Sequence, residues 1–262
     1  MKNDIEILKN TEIELMQIVD RVCKENNLCY YLAFGTLLGC IRHKGFIPWD
    51  DDVDIFMPRN DYELFIKKFN SDCAYLVTND INNKYTYPFA KVCDKRTILK
   101  EVDNPTSTLG VYIDVFPLDG LPSDDYVKNK HLKRIYRYKN MLIHKYSSMK
   151  RKRSFIKNIA MFFYKIIFAP ISYSYLVNKI STLSKKYAYD ESEDVSCAVW
   201  GYEFKTFKKS WFGSKREESF EGVNFKVPCE AELVLKSLYG NYMELPPIEK
   251  QVSNHNFTIE KI

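Results

Sequence analysis

The sequence predicts one large domain mixing helices and strands, α/β or α+β in class, with a helical insertion. Three observations predict it. At 262 residues the chain is long enough to bury a full core and suits one large domain better than two. Hydrophobic content of 45% and aromatic content of 15% belong to a folded globule rather than a disordered chain. Charge is unevenly spread: sixteen Lys and Arg fall between Tyr126 and Tyr189, and all 34 Asp and Glu lie outside that stretch. The net charge of +5 therefore conceals an acidic globule carrying a basic segment. These shifts divide the chain into a core over 1–125, a basic helical insertion over 126–190, and a return to the core over 191–262.

The elements follow in order. Ile5, Leu8, Leu15, Ile18, Val19 and Val22 fit one face of an amphipathic helix. Leu28–Phe34 is an apolar run of strand length, broken at Gly35-Thr36, after which Leu37–Arg42 predicts a short helix. Asp52-Val53-Asp54-Ile55-Phe56 alternates with the period of a strand. Asn60 or Asp61 is placed to cap a helix running to Phe69. Short strands are expected at 74–78, 89–94 and 97–101, and a clearer one over Gly110–Phe116, stopped by Pro117. Past the basic segment, Glu217–Val227 predicts a hairpin turning at Glu221-Gly222. Pro228 then opens a helix from Glu230 to Tyr239, with Gly240 as its stop. Seven scattered cysteines without a CxxC pair point to reduced thiols in the cytosol, neither a disulfide framework nor a zinc site. No apolar core of a signal peptide follows Met1, so cleavage of a leader is not expected.

The chemistry concentrates in Pro48-Trp49-Asp50-Asp51-Asp52-Val53-Asp54-Ile55. On a strand, Asp52 and Asp54 point to one face with Cβ atoms about 7 Å apart, while Val53 and Ile55 face a core. Two such carboxylates repel unless a cation lies between them, and Mg²⁺ suits the pair because it takes one or two carboxylates and fills its octahedron with water and phosphate oxygens. An EF-hand reading fails, since Ile55 and Asp61 occupy the positions that need Gly and Glu. Asp114 stands mid-strand in an apolar run, where an unpaired charge would cost several kcal/mol. A site shared with Asp52 and Asp54 removes that cost; an arginine or a backbone amide would do so too. Gly35-Thr36 at a strand-to-helix break suits phosphate binding, because helix N-terminal amides attract anions and glycine allows close approach. Arg42, His43 and Lys44 lie just ahead of the aspartates in sequence, with Arg42 suited to a bidentate grip on phosphate.

The unbroken run from Gly35 to Ile55, with its Gly-Thr-Leu-Leu-Gly start and Pro-Trp-Asp-Asp-Asp-Val-Asp-Ile end, closely resembles the LicD family of phosphotransferases, related to the fukutin proteins. Val115-Phe116-Pro117-Leu118-Asp119-Gly120 resembles its second block, which makes Asp119 a substrate-binding candidate. Tyr239-Gly240-Asn241-Tyr242 followed by Pro246-Pro247 is similar to its C-terminal block, and Cys40 departs from the small residue many members carry. The resemblance implies an α+β, nucleotidyltransferase-like mixed β-sheet flanked by helices. It also implies transfer of a phospho-alcohol, phosphocholine first, from CDP-choline or another CDP-alcohol to a cell-surface glycan or its lipid-linked precursor. Asp52, Asp54 and Asp114 would be catalytic and hold Mg²⁺ or Mn²⁺, with Asp50 as a further ligand. Lys91, in Phe89–Asp94, would meet the donor phosphate. A choline headgroup would need aromatic rings; Trp49 is the first candidate, then Tyr112, Phe116, Trp200, Tyr202 and Trp211. The rival activities are a nucleotidyltransferase releasing pyrophosphate and an inactive membrane-associated scaffold of the same fold.

The basic segment has three readings: a solvated helical face, an interfacial helix docking on anionic membrane, or a nucleic-acid surface. No recognition motif accompanies the charge, which disfavours nucleic acid. Lys150–Arg153 precedes an apolar stretch from Ile156 to Phe168 that is too interrupted to span a bilayer. The expected location is cytoplasmic, peripheral at the inner face of the cell membrane.

Overall fold

The predicted N-terminal stripe forms α1 (Lys2–Glu25), burying Leu8, Leu15, Val19 and Val22. Asn27 takes a left-handed φ of 55° beyond its end, so the amides of Asn27 and Leu28 return to the carbonyls of Lys24 and Cys23. The computed structural model describes residues 2–82, 85–101, 109–146, 155–200, 205–213, 216–252 and 257–262. The strand expected over Leu28–Phe34 shrinks to β1 (Tyr31–Leu32). Its start is consumed by the helix cap, and its end by Phe34, which turns to a φ of 41° and opens α2 (Phe34–His43).

The chain continues through β2 (Asp54–Pro58), α3 (Arg59–Lys68), β3 (Ala74–Val77), β4 (Ala90–Asp94), β5 (Thr97–Glu101) and β6 (Tyr112–Gly120). The main sheet runs β1-β2-β6-β4-β3 and is mixed: β2 and β6 are parallel, and the other neighbours antiparallel. Two local expectations need correction. Neither Asn60 nor Asp61 caps α3, which begins after Pro58 without a side-chain cap. Asp61 instead accepts the Cys29 amide at 3.1 Å, and Asn60 donates to Asp190. Nor does Pro117 stop its strand. Along β6 the amide of Asp114 points toward β2, bonding Val53, whereas that of Leu121 points the other way, to Asp194. Alternation therefore aims position 117 away from β2, where β4 pairing has ended at Val115 and the next strand first pairs at Asp119. A missing N–H costs nothing in that gap.

The basic segment folds as α4 (Asp125–Tyr146), α5 (Phe155–Ile167) and α6 (Tyr173–Ser184), the last capped by the Ser172 hydroxyl accepting from Tyr175. β7 (Asp194–Ser196) pairs with the end of β6 and with β8 (Phe207–Lys208). β9 (Glu217–Phe220) and β10 (Val223–Lys226) form the expected hairpin, with Glu221 and Gly222 both at positive φ. α7 (Ala231–Tyr239) ends at Gly240 as expected, and β11 (Phe257–Lys261) pairs with β5. α1 and α3 pack on the sheet and on each other, while α2 sits between β2, β9 and α7. Gly39 lets α2 lie on the following loop, since a Cβ there would stand 2.4 Å from the Gly45 carbonyl oxygen. Tyr30, Phe56, Phe65, Phe220 and Phe225 fill the core. Among the described residues, no helix is long and apolar enough to cross a membrane.

Candidate active site

Strand register builds the site. Asp54 on β2 stands directly opposite Asp114 on β6, and Asp114 stands opposite Lys91 on β4. With strands about 4.8 Å apart, three charged side chains thus form one row across three strands on one face. The Lys91 ammonium meets Asp114 Oδ1 at 2.5 Å and lies 3.5 Å over the Tyr112 ring centroid. Backbone bonds fix the row: the Asp114 amide donates to Val53, the Ala33 amide to Asp54, and the Asp54 amide to the Thr36 hydroxyl at 2.8 Å.

β2 begins at Asp54, yet the alternation expected from Asp52 onward holds. Val53 and Ile55 are buried, whereas Asp52 and Asp54 line a cavity of about 470 Å³ together with Asp50 and Asp114. Gly35, at the start of α2, lines the same cavity, and a Cβ there would come 2.5 Å from Asp50 Oδ2. Phe34, Phe116, Trp200 and Tyr239 form an aromatic wall; Phe34 meets Phe116 edge-on at 5.4 Å. Burial first, then the carboxylates of Asp52 and Asp114, raise the Asp54 pKa well above the usual value, against the pull of Lys91. Among the described residues no three metal-binding groups are drawn together as a ready-made cage.

The remaining sequence candidates are placed elsewhere. Thr36 is buried and positions Asp54 through its hydroxyl rather than facing the cavity. Arg42, His43 and Lys44 end up at the far end of α2, about 10–13 Å from Gly35 at 1.5 Å per residue. Their proximity to the aspartates is sequential only, because the intervening loop folds back along the helix. There Arg42 donates to the Tyr242 carbonyl at 2.7 Å and to the His43 ring, and Lys44 meets Glu218. Asp119 is buried in a two-pronged pair with Arg59, at 2.6 and 2.9 Å, which ties α3 to β6 and takes it out of the cavity. Trp49 packs half-buried beside His43. Of the other aromatic candidates, Phe116 and Trp200 line the cavity, Trp211 packs near Phe207, and Tyr202 lies outside the described residues.

Two further residues escaped sequence reasoning. Glu12 of α1 is 2% exposed, and its Oε2 has no hydrogen-bond partner. Burial, followed by the fields of Asp52, Asp51 and Asp54, raises its pKa well above the usual value. The signal was available: Glu12 falls on the buried stripe between Leu8 and Leu15, where a charge is out of place. Phe34 carries backbone strain at the cavity mouth, since φ of 41° is costly for a bulky residue.

Comparison with known proteins identifies the family. Residues 27–170, more than half of the chain, match the family described as LicD/FKTN/FKRP, nucleotidyltransferase domain. The chain is 29% identical over 265 residues to the lipopolysaccharide cholinephosphotransferase LicD of Haemophilus influenzae, covering 95% of this chain and 96% of that protein. It is 27% identical over 128 residues to mannosyltransferase regulator 4 of Saccharomyces cerevisiae, covering 44% of this chain and 10% of that protein. A 48-residue stretch is 44% identical to an uncharacterized protein of Rickettsia prowazekii, covering 18% of each chain. The chain belongs to the LicD/FKTN/FKRP nucleotidyltransferase-domain family.

Proposed function

We propose that the protein transfers a phospho-alcohol, phosphocholine in the first instance, from a CDP-linked donor to a hydroxyl of a cell-surface glycan or its lipid-linked precursor. The observation that carries this reading is the pairing of Asp54 with Asp114 across parallel strands, with Asp52 in the same cavity. Similarity along nearly the whole length of a cholinephosphotransferase supports the choice of alcohol.

Asp52 and Asp54 would hold Mg²⁺ or Mn²⁺, with Asp114 completing the site and Asp50 at its edge. The donor set fits: it is all carboxylate oxygen, as hard divalent ions require, and a cation would oppose both the burial and the carboxylate repulsion that raise the Asp54 pKa. When bound, such an ion neutralises charge on the donor pyrophosphate. The amides opening α2 at Gly35 receive phosphate oxygens. The acceptor hydroxyl oxygen bonds to the phosphorus that carries the alcohol, the bond from that phosphorus to the CMP oxygen breaks, and CMP leaves. Asp114 takes the hydroxyl proton, while Lys91 holds its carboxylate in line. The wall of Phe34, Phe116, Trp200 and Tyr239 offers ring faces to a quaternary ammonium.

The test is ³¹P NMR of the protein with Mg²⁺, CDP-choline and CDP-ribitol, with and without glycan. CMP that appears only with glycan, and is lost in Asp54→Asn, supports the reading and identifies the alcohol. Pyrophosphate release from nucleoside triphosphates, with both CDP donors silent, would replace it with nucleotidyl transfer. Metal binding without turnover of any donor would leave an inactive scaffold.

A further inference from the structure

We propose that α5 is an interfacial helix that seats the protein on an anionic phospholipid bilayer, assisted by a cationic stripe on α4. Ile159, Phe162, Phe163, Ile166 and Ile167 fall at the i, i+3, i+4, i+7, i+8 spacing of one helical face. All five are exposed, from 42% for Ile159 to 66% for Ile167. The helix turns a different face to its neighbour. Tyr164 packs edge-on against His144 of α4 at 5.1 Å and against Phe168 at 4.3 Å. The Lys145 ammonium donates to the carbonyls of Phe168 and Ala169, tying the end of α5 to α4. A continuous apolar face held outward by a packed polar and aromatic back is a docking surface rather than a scatter of surface hydrophobes.

Length and charge select the occupant. Thirteen residues span about 20 Å, short of the roughly 30 Å of a bilayer's hydrocarbon, so the helix lies in the interface and does not cross. On α4, Lys130, Lys133, Arg134 and Arg137 repeat the same helical spacing and line a cavity of about 620 Å³ with Tyr126 and Tyr138. No acidic residue lies between Tyr126 and Tyr189 to offset them. A second copy on the same face would bring two such stripes together and repel, whereas anionic headgroups neutralise them over acyl chains that accept the phenylalanines. The opposite, buried face of α4 touches the wall of the candidate active site. The Lys139 ammonium donates to the Trp200 carbonyl at 2.7 Å, and Trp200 lines the carboxylate cavity. Docking through α4 and α5 would thus leave α4, about 10 Å across, between the membrane and the cavity wall.

The test is vesicle flotation, which reads binding without turnover and so stands or falls independently of the transfer reading. Wild type is expected to float with vesicles of phosphatidylglycerol and phosphatidylcholine in equal parts, and weakly with phosphatidylcholine alone. Phe162→Ser with Phe163→Ser should weaken partition at least about tenfold, and Phe162→Leu with Phe163→Leu should retain it. Lys133→Glu with Arg134→Glu should lose the preference for anionic vesicles. Ile166→Ser with Ile167→Ser replaces the serine pair at 162 and 163 should that pair fail to fold. Wild-type partition in a folded serine variant overturns the proposal. So does a wild-type dimer, by light scattering, that becomes monomeric in the serine variant, because a second copy would then cover α5.

Discussion

Asp119→Asn separates a structural role from a substrate role at a position where sequence resemblance and structure disagree. The substitution keeps the shape of the side chain and removes its charge. Arg59, 8% exposed, would be left with the Tyr62 ring at 5.1 Å and with Glu63 at 3.2 Å, an ion-pair partner that is itself partly in solvent. Burial works to lower the Arg59 pKa, and the Asp119 carboxylate more than reverses it, so the guanidinium depends on this partner. Removing one member of a buried pair costs about 3–5 kcal/mol, because an uncompensated charge stays behind. For a chain of this size each kcal/mol moves the melting temperature by about 2–4 °C, so a fall of about 10 °C is expected. Differential scanning fluorimetry measures it, and the double variant Arg59→Met with Asp119→Leu should recover most of the loss by leaving no lone charge. At temperatures where Asp119→Asn is folded, KM for the CDP donor should match wild type. An unchanged melting temperature with a KM raised tenfold would refute the argument and return Asp119 to the substrate.

Three more expectations concern the cavity. Asp54→Asn and Asp114→Asn should each abolish CMP release, and retained turnover in both would dissolve the site. Asp54→Asn should melt no earlier than wild type without metal, since it removes a crowded charge, whereas Asp114→Asn should melt earlier, since it leaves the buried Lys91 ammonium without its carboxylate. Thr36→Val strands the buried Asp54 amide and should cost about 1–3 kcal/mol together with most of the turnover, whereas Thr36→Ser should restore both; equal behaviour of the two variants would deny the hydroxyl its positioning role. Glu12→Gln tests the buried carboxyl by its pH dependence. Because the folded pKa of Glu12 is raised, its contribution to stability is present at low pH and lost as pH rises through the folded value. The melting temperature of Glu12→Gln relative to wild type should therefore climb as pH rises above the ordinary carboxylate range, and a flat difference would argue against burial of the charge.

What was legible in the sequence was local. The alternation through Asp52-Val53-Asp54-Ile55 put the carboxylates and the core on opposite faces, as found, because side-chain period does not depend on where pairing begins. The hairpin at Glu221-Gly222 and the stop at Gly240 were equally readable, since both rest on positive φ angles that few residues tolerate. What failed was whatever needed a partner remote in sequence. Pro117 looked terminal because nothing nearby reveals that its neighbour strands change over at that residue. Arg42 and Lys44 looked close to the aspartates because sequence distance hides the length of a helix. Asp119 resembled a site residue, and only the fold brings Arg59 to it. The apolar surroundings of Asp114 single it out in the sequence, but its pairing with both Asp54 and Lys91 is a property of register.

That register bears on how the chain tolerates insertions and deletions. Asp54 and Asp114 meet through the parallel pairing of β2 with β6, and among the described residues of 59–111 only Lys91 joins the row. Lengthening the connection between β3 and β4 should leave the carboxylates where they are. A single residue inserted between Val53 and Asp54, where β2 begins, would have the opposite effect. It would rotate the strand by half a period, bury the aspartate, and turn Ile55 toward the substrate.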